Sequence, residues 1–95
     1  MPIWNSCTMT TLYYSEDASD DDPCVVRIDE NGILVEYEDE EIVQYTGTRN
    51  GEGHFELRGV GFDGHASLHM FPESSVLEGS WVEEGQRGMW RIRLA

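Results

Sequence analysis

Leu77-Glu78-Gly79-Ser80-Trp81-Val82 and Gly88-Met89-Trp90-Arg91-Ile92-Arg93-Leu94, joined by Glu83-Glu84-Gly85-Gln86-Arg87, decide how this chain folds. Apolar and polar residues alternate on both sides of the turn, with a tryptophan beside each end of it. Side chains on a strand point alternately to opposite faces, so this pattern marks two half-buried antiparallel strands. Opposing Trp81 with Trp90 predicts that Leu77 faces Leu94 and Gly79 faces Ile92 on the inner side. Glu78 then meets Arg93, Ser80 meets Arg91 and Val82 meets Met89 on the outer side. A one-residue slip would set Glu78 against apolar Ile92 or Leu94.

The same alternation recurs upstream, broken by Gly, Asp, Asn and Pro roughly every eight to twelve residues, and no window carries helical spacing. The segments read as strands are Thr8–Tyr14, Cys24–Asp29, Ile33–Tyr37, Ile42–Thr46, His54–Arg58, His65–Phe71, Val76–Val82 and Gly88–Leu94. Between them lie an acidic loop (Ser15–Pro23), an Asn31-Gly32 turn suited to positive φ, and an acidic tip at Glu38-Asp39-Glu40-Glu41. Pairing Leu57 with Leu68 sets Phe55 opposite Met70, Gly59 opposite Ala66 and Glu56 opposite His69. The expected inner face is Phe55, Leu57, Ala66, Leu68, Met70, Leu77, Trp81, Trp90, Ile92 and Leu94, with Val35, Tyr37, Val43 and Tyr45.

Short sequential hairpins leave open edges unless the sheet closes. The expected fold is therefore all-β, a small antiparallel meander barrel of about eight short strands, with a two-sheet β-sandwich as the other arrangement. Residues 1–95 form one domain. An edge left open would be a route to a dimer, but no residue argues for a particular oligomeric state.

Charge narrows the class of work. The chain has 19 acidic residues against 6 basic ones, all arginine, for a formal net charge of −13. Such a field repels nucleic acid and anionic membranes and favours basic partners, although it also serves solubility. Met1 to Tyr14 holds no basic stretch followed by an apolar run, and no segment approaches the ~20 apolar residues of a membrane span. These features predict a cytoplasmic protein in which Cys7 and Cys24 are reduced, buried thiols.

The ending Leu77-Glu78-Gly79-Ser80-Trp81 … Gly85 … Gly88-Met89-Trp90-Arg91-Ile92-Arg93-Leu94 follows Ala66-Ser67-Leu68-His69 … Phe71-Pro72. Together they resemble the C-terminal half of short uncharacterised bacterial proteins and, more loosely, the closing strands of calycin-type barrels such as lipocalins. The likeness covers roughly residues 52–94. Trp4-Asn5 departs from the lipocalin Gly-x-Trp pattern, and the chain is shorter than a lipocalin. The resemblance implies a ligand-binding or protein-binding barrel and carries over no catalytic residue.

Chemistry-bearing motifs are sparse. His65 and His69 share a strand face but stand roughly 13 Å apart, too far for one metal ion. Glu16, Asp17, Asp20, Asp21 and Asp22 lack the spacing and glycine of an EF-hand loop. Gly59-Val60-Gly61-Phe62-Asp63-Gly64 matches a dinucleotide fingerprint only in letters, because it joins two strands instead of a strand and a helix. Ser67 has no nucleophile elbow. These observations predict no enzyme, no cofactor and no metal.

Two binding readings remain. Glu36, Glu38, Asp39, Glu40 and Glu41 cluster at one hairpin and suit a basic protein surface, with fast, salt-sensitive association; one form is an inhibitor that mimics nucleic acid. The alternative is a small-ligand carrier or sensor whose barrel mouth is lined by Tyr37, Tyr45 and Trp90.

Overall fold

The computed structural model describes residues 3–14 and 19–95, except the side chains of Ser19 and Asp20. Glu16 and Asp17 of the expected acidic loop therefore lie outside the described residues. Eight strands are described: β1 (Ile3–Tyr13), β2 (Ser19–Ile28), β3 (Gly32–Asp39), β4 (Glu41–Arg49), β5 (His54–Gly59), β6 (Gly64–His69), β7 (Val76–Glu83) and β8 (Gln86–Arg93). Each pairs antiparallel with the next, and β8 pairs with β1, closing a meander barrel. Among the described residues every strand has a paired neighbour on both sides, so the fully open edge considered as a dimer route is absent there. No helix is long and apolar enough to cross a membrane among the described residues.

The meander puts two kinds of connection at two ends. The tip end carries the β1–β2, β3–β4, β5–β6 and β7–β8 links; the base carries the β2–β3, β4–β5 and β6–β7 links and both outer strand termini. At the base, the Asp29 carboxylate accepts from the backbone N–H of Asn31 (2.9 Å) and Gly32 (2.8 Å), closing the β2–β3 turn. Those two bonds favour the charged form and hold the Asp29 carboxyl below its ordinary range.

Alternation delivers the core. Phe55, Leu57, Ala66, Leu68, Leu77, Trp81, Trp90, Ile92, Val35 and Tyr45 are buried, while Met70, Leu94, Tyr37 and Val43 are half-buried against them. Cys7, Met9, Cys24, Val26, Ile28 and Ile33 complete the interior. Cys7 and Cys24 face each other across β1 and β2 as buried free thiols. Burial, followed by the neighbouring Cys7, pushes the Cys24 thiol up to about 12. A register shift between Trp4 and Cys7 inserts one extra residue into β1. A bulge of this kind reverses the side-chain parity, so Trp4 as well as Cys7 packs toward the core.

Both hairpin registers differ from expectation by two residues. Trp81 opposes Gly88, Gly79 opposes Trp90, Leu77 opposes Ile92, and Glu78 opposes Arg91. Glu78 keeps an arginine partner, with Arg91 Nε donating to its carboxylate at 3.1 Å. The turn is the cause: it has two residues, Glu84 (φ 48°) and Gly85 (φ 88°), both left-handed, the twist that a tight hairpin requires. The five-residue turn expected at 83–87 gives way to strand pairing of Glu83 with Gln86. Setting each tryptophan opposite a glycine also makes room. A Cβ on Gly79 would stand 1.7 Å from the Ser67 carbonyl oxygen, and one on Gly88 would stand 1.9 Å from that of Leu12.

The β5–β6 hairpin slips the same way. Leu57 faces Ala66, Phe55 faces Leu68, Glu56 faces Ser67 and His54 faces His69. Here the Phe62 ring folds back against Tyr45, with centroids 5.2 Å apart, and over the bare α-carbons of Gly59 and Gly64. The loop is tightened by that contact.

The acidic loop is also shorter than expected. Ser19 to Pro23 pair with β1 as the first half of β2, so Asp21 and Asp22 are strand residues with opposite orientations. Asp21, exposed, accepts from the Thr10 hydroxyl at 2.6 Å, and Asp22 lines the barrel mouth.

Candidate functional site: an acidic, ring-walled cup

Strand parity does not stop where the apolar residues end. Tyr37 faces inward, so Asp39 two residues on does too; Trp81 faces inward, and so does Glu83; Cys24 is buried, and Asp22 shares its face. β2, β3 and β7 all reach the tip end with these positions. Asp22, Asp39 and Glu83 therefore surround one opening. It is a cup of about 170 Å³ walled by Tyr13, Tyr37, Trp81 and Trp90, with Met9 and Thr11 at its lining.

The rings brace one another. Tyr37 meets Trp90 edge to face at 6.1 Å, Tyr13 meets Trp81 at 5.2 Å, and Trp81 stacks on Trp90 at 6.2 Å with planes 27° apart. Such pairs prefer these geometries because the ring edge is positive and the face negative. Tyr45, wholly buried, packs edge to face on Trp90 at 4.9 Å and donates its hydroxyl to Glu83 Oε1 at 2.7 Å. That bond fixes one carboxylate at the rim. Burial raises the Tyr37 phenol above its ordinary 10.0, and Glu83, Asp39 and Asp22 add to the rise, since each disfavours a second negative charge in the cup. Tyr45 is raised by burial and by its bond to Glu83. Among the described residues, the Trp81 indole N–H is buried without a hydrogen-bond acceptor.

The five acids of the β3–β4 hairpin do not act as one group. Glu38, Glu40 and Glu41 are exposed at the tip, with Glu40 at φ 62° making the reversal. Asp39 turns into the cup instead. Glu36 lies half-buried on the outer wall, where its carboxylate accepts from Gln44 Nε2 at 2.7 Å. Of the alternative ligand residues, Tyr37 and Trp90 do line the cup, whereas Tyr45 supports it from below through Glu83. Sequence reasoning takes Asp22 only as a loop acid that adds to the hairpin cluster and Trp81 only as core, and it misses Glu83 and Tyr13 as site residues. Extending the inward parity past the last apolar residue of each strand would have found three of them.

Exposed apolar side chains gather at the same end. Leu12, Tyr14, Ile42, Val60 and Val82, between 44% and 66% exposed, lie on the tip halves of their strands or in tip loops. Ile3 and Phe71 are the exposed large hydrophobics at the base, among the described residues.

On the outer wall the register brings His54 beside His69, with ring centroids 4.4 Å apart. His54 Nε2 lies 2.6 Å from the Glu56 carboxylate, which also accepts from the Ser67 hydroxyl at 2.7 Å. Ser67, then His54, lowers the Glu56 carboxyl from its ordinary range. The Ser67 hydroxyl thus points to a carboxylate and not to an imidazole. The expected Glu56–His69 pairing is replaced by this arrangement because of the two-residue slip. No group of three or more His, Cys, Asp or Glu with metal-holding geometry occurs among the described residues. A larger depression of about 510 Å³ runs over the outer faces of β4 to β6 near Arg58 and His65, but no Phe, Tyr or Trp lines it.

Fold and cup together define a closed eight-stranded meander barrel with one acidic, ring-lined end. Compared with family models, curated proteins and solved structures, the chain matches none.

Proposed function

We propose that this chain is a non-enzymatic binding module whose tip end docks on a basic partner protein. One observation carries the reading: exposed carboxylates and exposed apolar side chains are concentrated at the same end of the barrel. Glu38, Glu40, Glu41 and Glu84 stand there beside Tyr14, Ile42 and Val60. Carboxylates steer a basic surface toward contact, and the apolar residues then supply the burial that holds it. An acidic surface serving solubility alone has no reason to carry them together.

The test is native mass spectrometry on protein purified from its own host at low salt, with a variant in which Glu38, Glu40 and Glu41 are glutamine. A basic protein that accompanies the natural chain, dissociates as salt rises and is lost from the variant supports the reading. Equal retention by the variant overturns it. The small-ligand alternative has its own supporting observation in the cup, and a specific compound that quenches tryptophan fluorescence while surviving salt would favour it.

A further inference from the structure

We propose that the cup is an alkylammonium site, in which Asp22, Asp39 and Glu83 attract one cationic nitrogen and the surrounding rings hold its carbon substituents. The occupant argued for is a lysine side chain, plain or methylated, presented by the partner. This rests on the tip end being the docking surface and names what its deepest point recognises.

Three features lead to that chemistry. The first is uncompensated charge. Three carboxylates from three different strands face one opening, and neither an arginine nor a histidine lines it among the described residues. A concave site with low-dielectric walls of one sign concentrates its field on the opening. The second is the wall. A cation is drawn to the faces of aromatic rings, and most strongly when it is partly removed from water. Tyr13 and Tyr37 are half-buried and give accessible ring surface, while Trp81 and Trp90 form the buried backing behind them. Steep angles of 85° and 77° between neighbouring rings present more than one ring plane to the cup. The third is size. A volume of about 170 Å³ suits a trimethylammonium or butylammonium head and excludes a folded peptide segment. By comparison, a buried void of about 150 Å³ holds one benzene. The Tyr37 phenol, raised first by burial and then by these same carboxylates, agrees with this geometry.

The experiment follows the indole N–H resonances of Trp81 and Trp90 during titration with choline chloride. The controls are sodium chloride at matched ionic strength and the neutral isostere of choline, in which a tert-butyl group replaces trimethylammonium. Choline is expected to give saturable shifts at both indoles, and the isostere is not. Asp39→Asn, which removes charge, and Tyr37→Leu, which keeps bulk but removes the ring, should each weaken binding about tenfold. Equal responses to choline and its isostere, or choline shifts no different from those of sodium chloride, overturn the proposal. A second arm uses a peptide with one lysine between apolar residues and its norleucine counterpart. Indole shifts with the lysine peptide alone identify a protein side chain as the source; shifts with choline but with neither peptide identify a free amine. Peptide binding that leaves both indoles unmoved, with no choline binding, removes the cup proposal while the docking reading stands. Choline binding intact with no basic peptide bound removes the docking reading and leaves the cup.

Discussion

The two ends of this barrel are built from the same eight strands and the same alternation, yet their interiors differ in kind. Toward the base the wholly buried inward positions are aliphatic or Phe, namely Val26, Ile28, Ile33, Phe55, Leu68, Leu77 and Ile92, all at most 5% exposed, with Trp4 and Met70 half-buried beside them. Toward the tip they are tyrosines, tryptophans and finally carboxylates, around an open cup. The base maximises apolar burial and gives the small domain its stability. The tip gives up part of that burial to keep charged groups pointing into a concave opening. The difference shows where a 95-residue barrel can spare inward positions from apolar burial: at the end where the core is already complete below it.

That division can be broken in graded ways. The largest effect should come from the base. Phe55→Ala removes a wholly buried ring and should cost about 3–5 kcal/mol of unfolding free energy, leaving any binding at the tip intact in the fraction that folds. A loss under about 1 kcal/mol in chemical denaturation would show that the base is not the stabilising end. Gly79→Ala tests the wall between the ends. Its new methyl would meet the Ser67 carbonyl oxygen, so strands β6 and β7 must part, at about 1–3 kcal/mol. A stability unchanged by this substitution would contradict the close backbone approach beneath Trp90.

Tyr45→Phe sharpens the comparison at the junction. It removes the donor to Glu83 and should cost about 1.5–3 kcal/mol, as hydrogen bonds to charged groups do. Its second readout is the cup itself: a freed Glu83 should weaken choline binding, whereas equal affinity would mean that the rim does not need this anchor.

Alkaline pH adds a further test. Cys24, Tyr37 and Tyr45 hold their protons more tightly in the folded chain than their ordinary values of 9.0, 10.0 and 10.0. Below pH 9 both states keep these protons and stability is full. As pH rises past that point the unfolded chain ionises first, so each group erodes stability by up to about 1.4 kcal/mol per pH unit. Tm should fall steadily between about pH 9 and 11. A flat Tm across that window would mean these groups are not sequestered. The smallest effect belongs to the exposed tip. Glu38→Gln, Glu40→Gln and Glu41→Gln should each change stability by less than about 0.5 kcal/mol, with the triple variant losing partner affinity instead.

Much of this molecule was legible in the sequence, and what was not has one physical origin. All fourteen residues assigned to the inner face pack in or against the core, from Val35 and Tyr45 to Trp90 and Ile92. Face depends on side-chain parity, which each strand states by itself. Pairing was read two residues out in both hairpins, and the faces survived, since a slip of two returns every side chain to the same side. The information for register sat in the turns, in the left-handed pair Glu84-Gly85 and in Phe62 tucked over glycine. The acids at Asp20–Asp22 looked like loop because polarity at a strand end resembles polarity in a turn. Only pairing with Thr11, Thr10 and Met9 reveals them as strand.

By itself, then, the sequence determined an all-β chain, eight alternating segments, the apolar set and a strongly acidic surface. Each of these follows from local composition and the period-two geometry of a strand. The tertiary structure alone decided closure, register and the cup. Asp22, Asp39 and Glu83 are far apart along the chain and share no motif. They meet because closing the meander brings the ends of β2, β3 and β7 to one rim, and convergence of that sort is a property of the closed sheet, not of any segment within it.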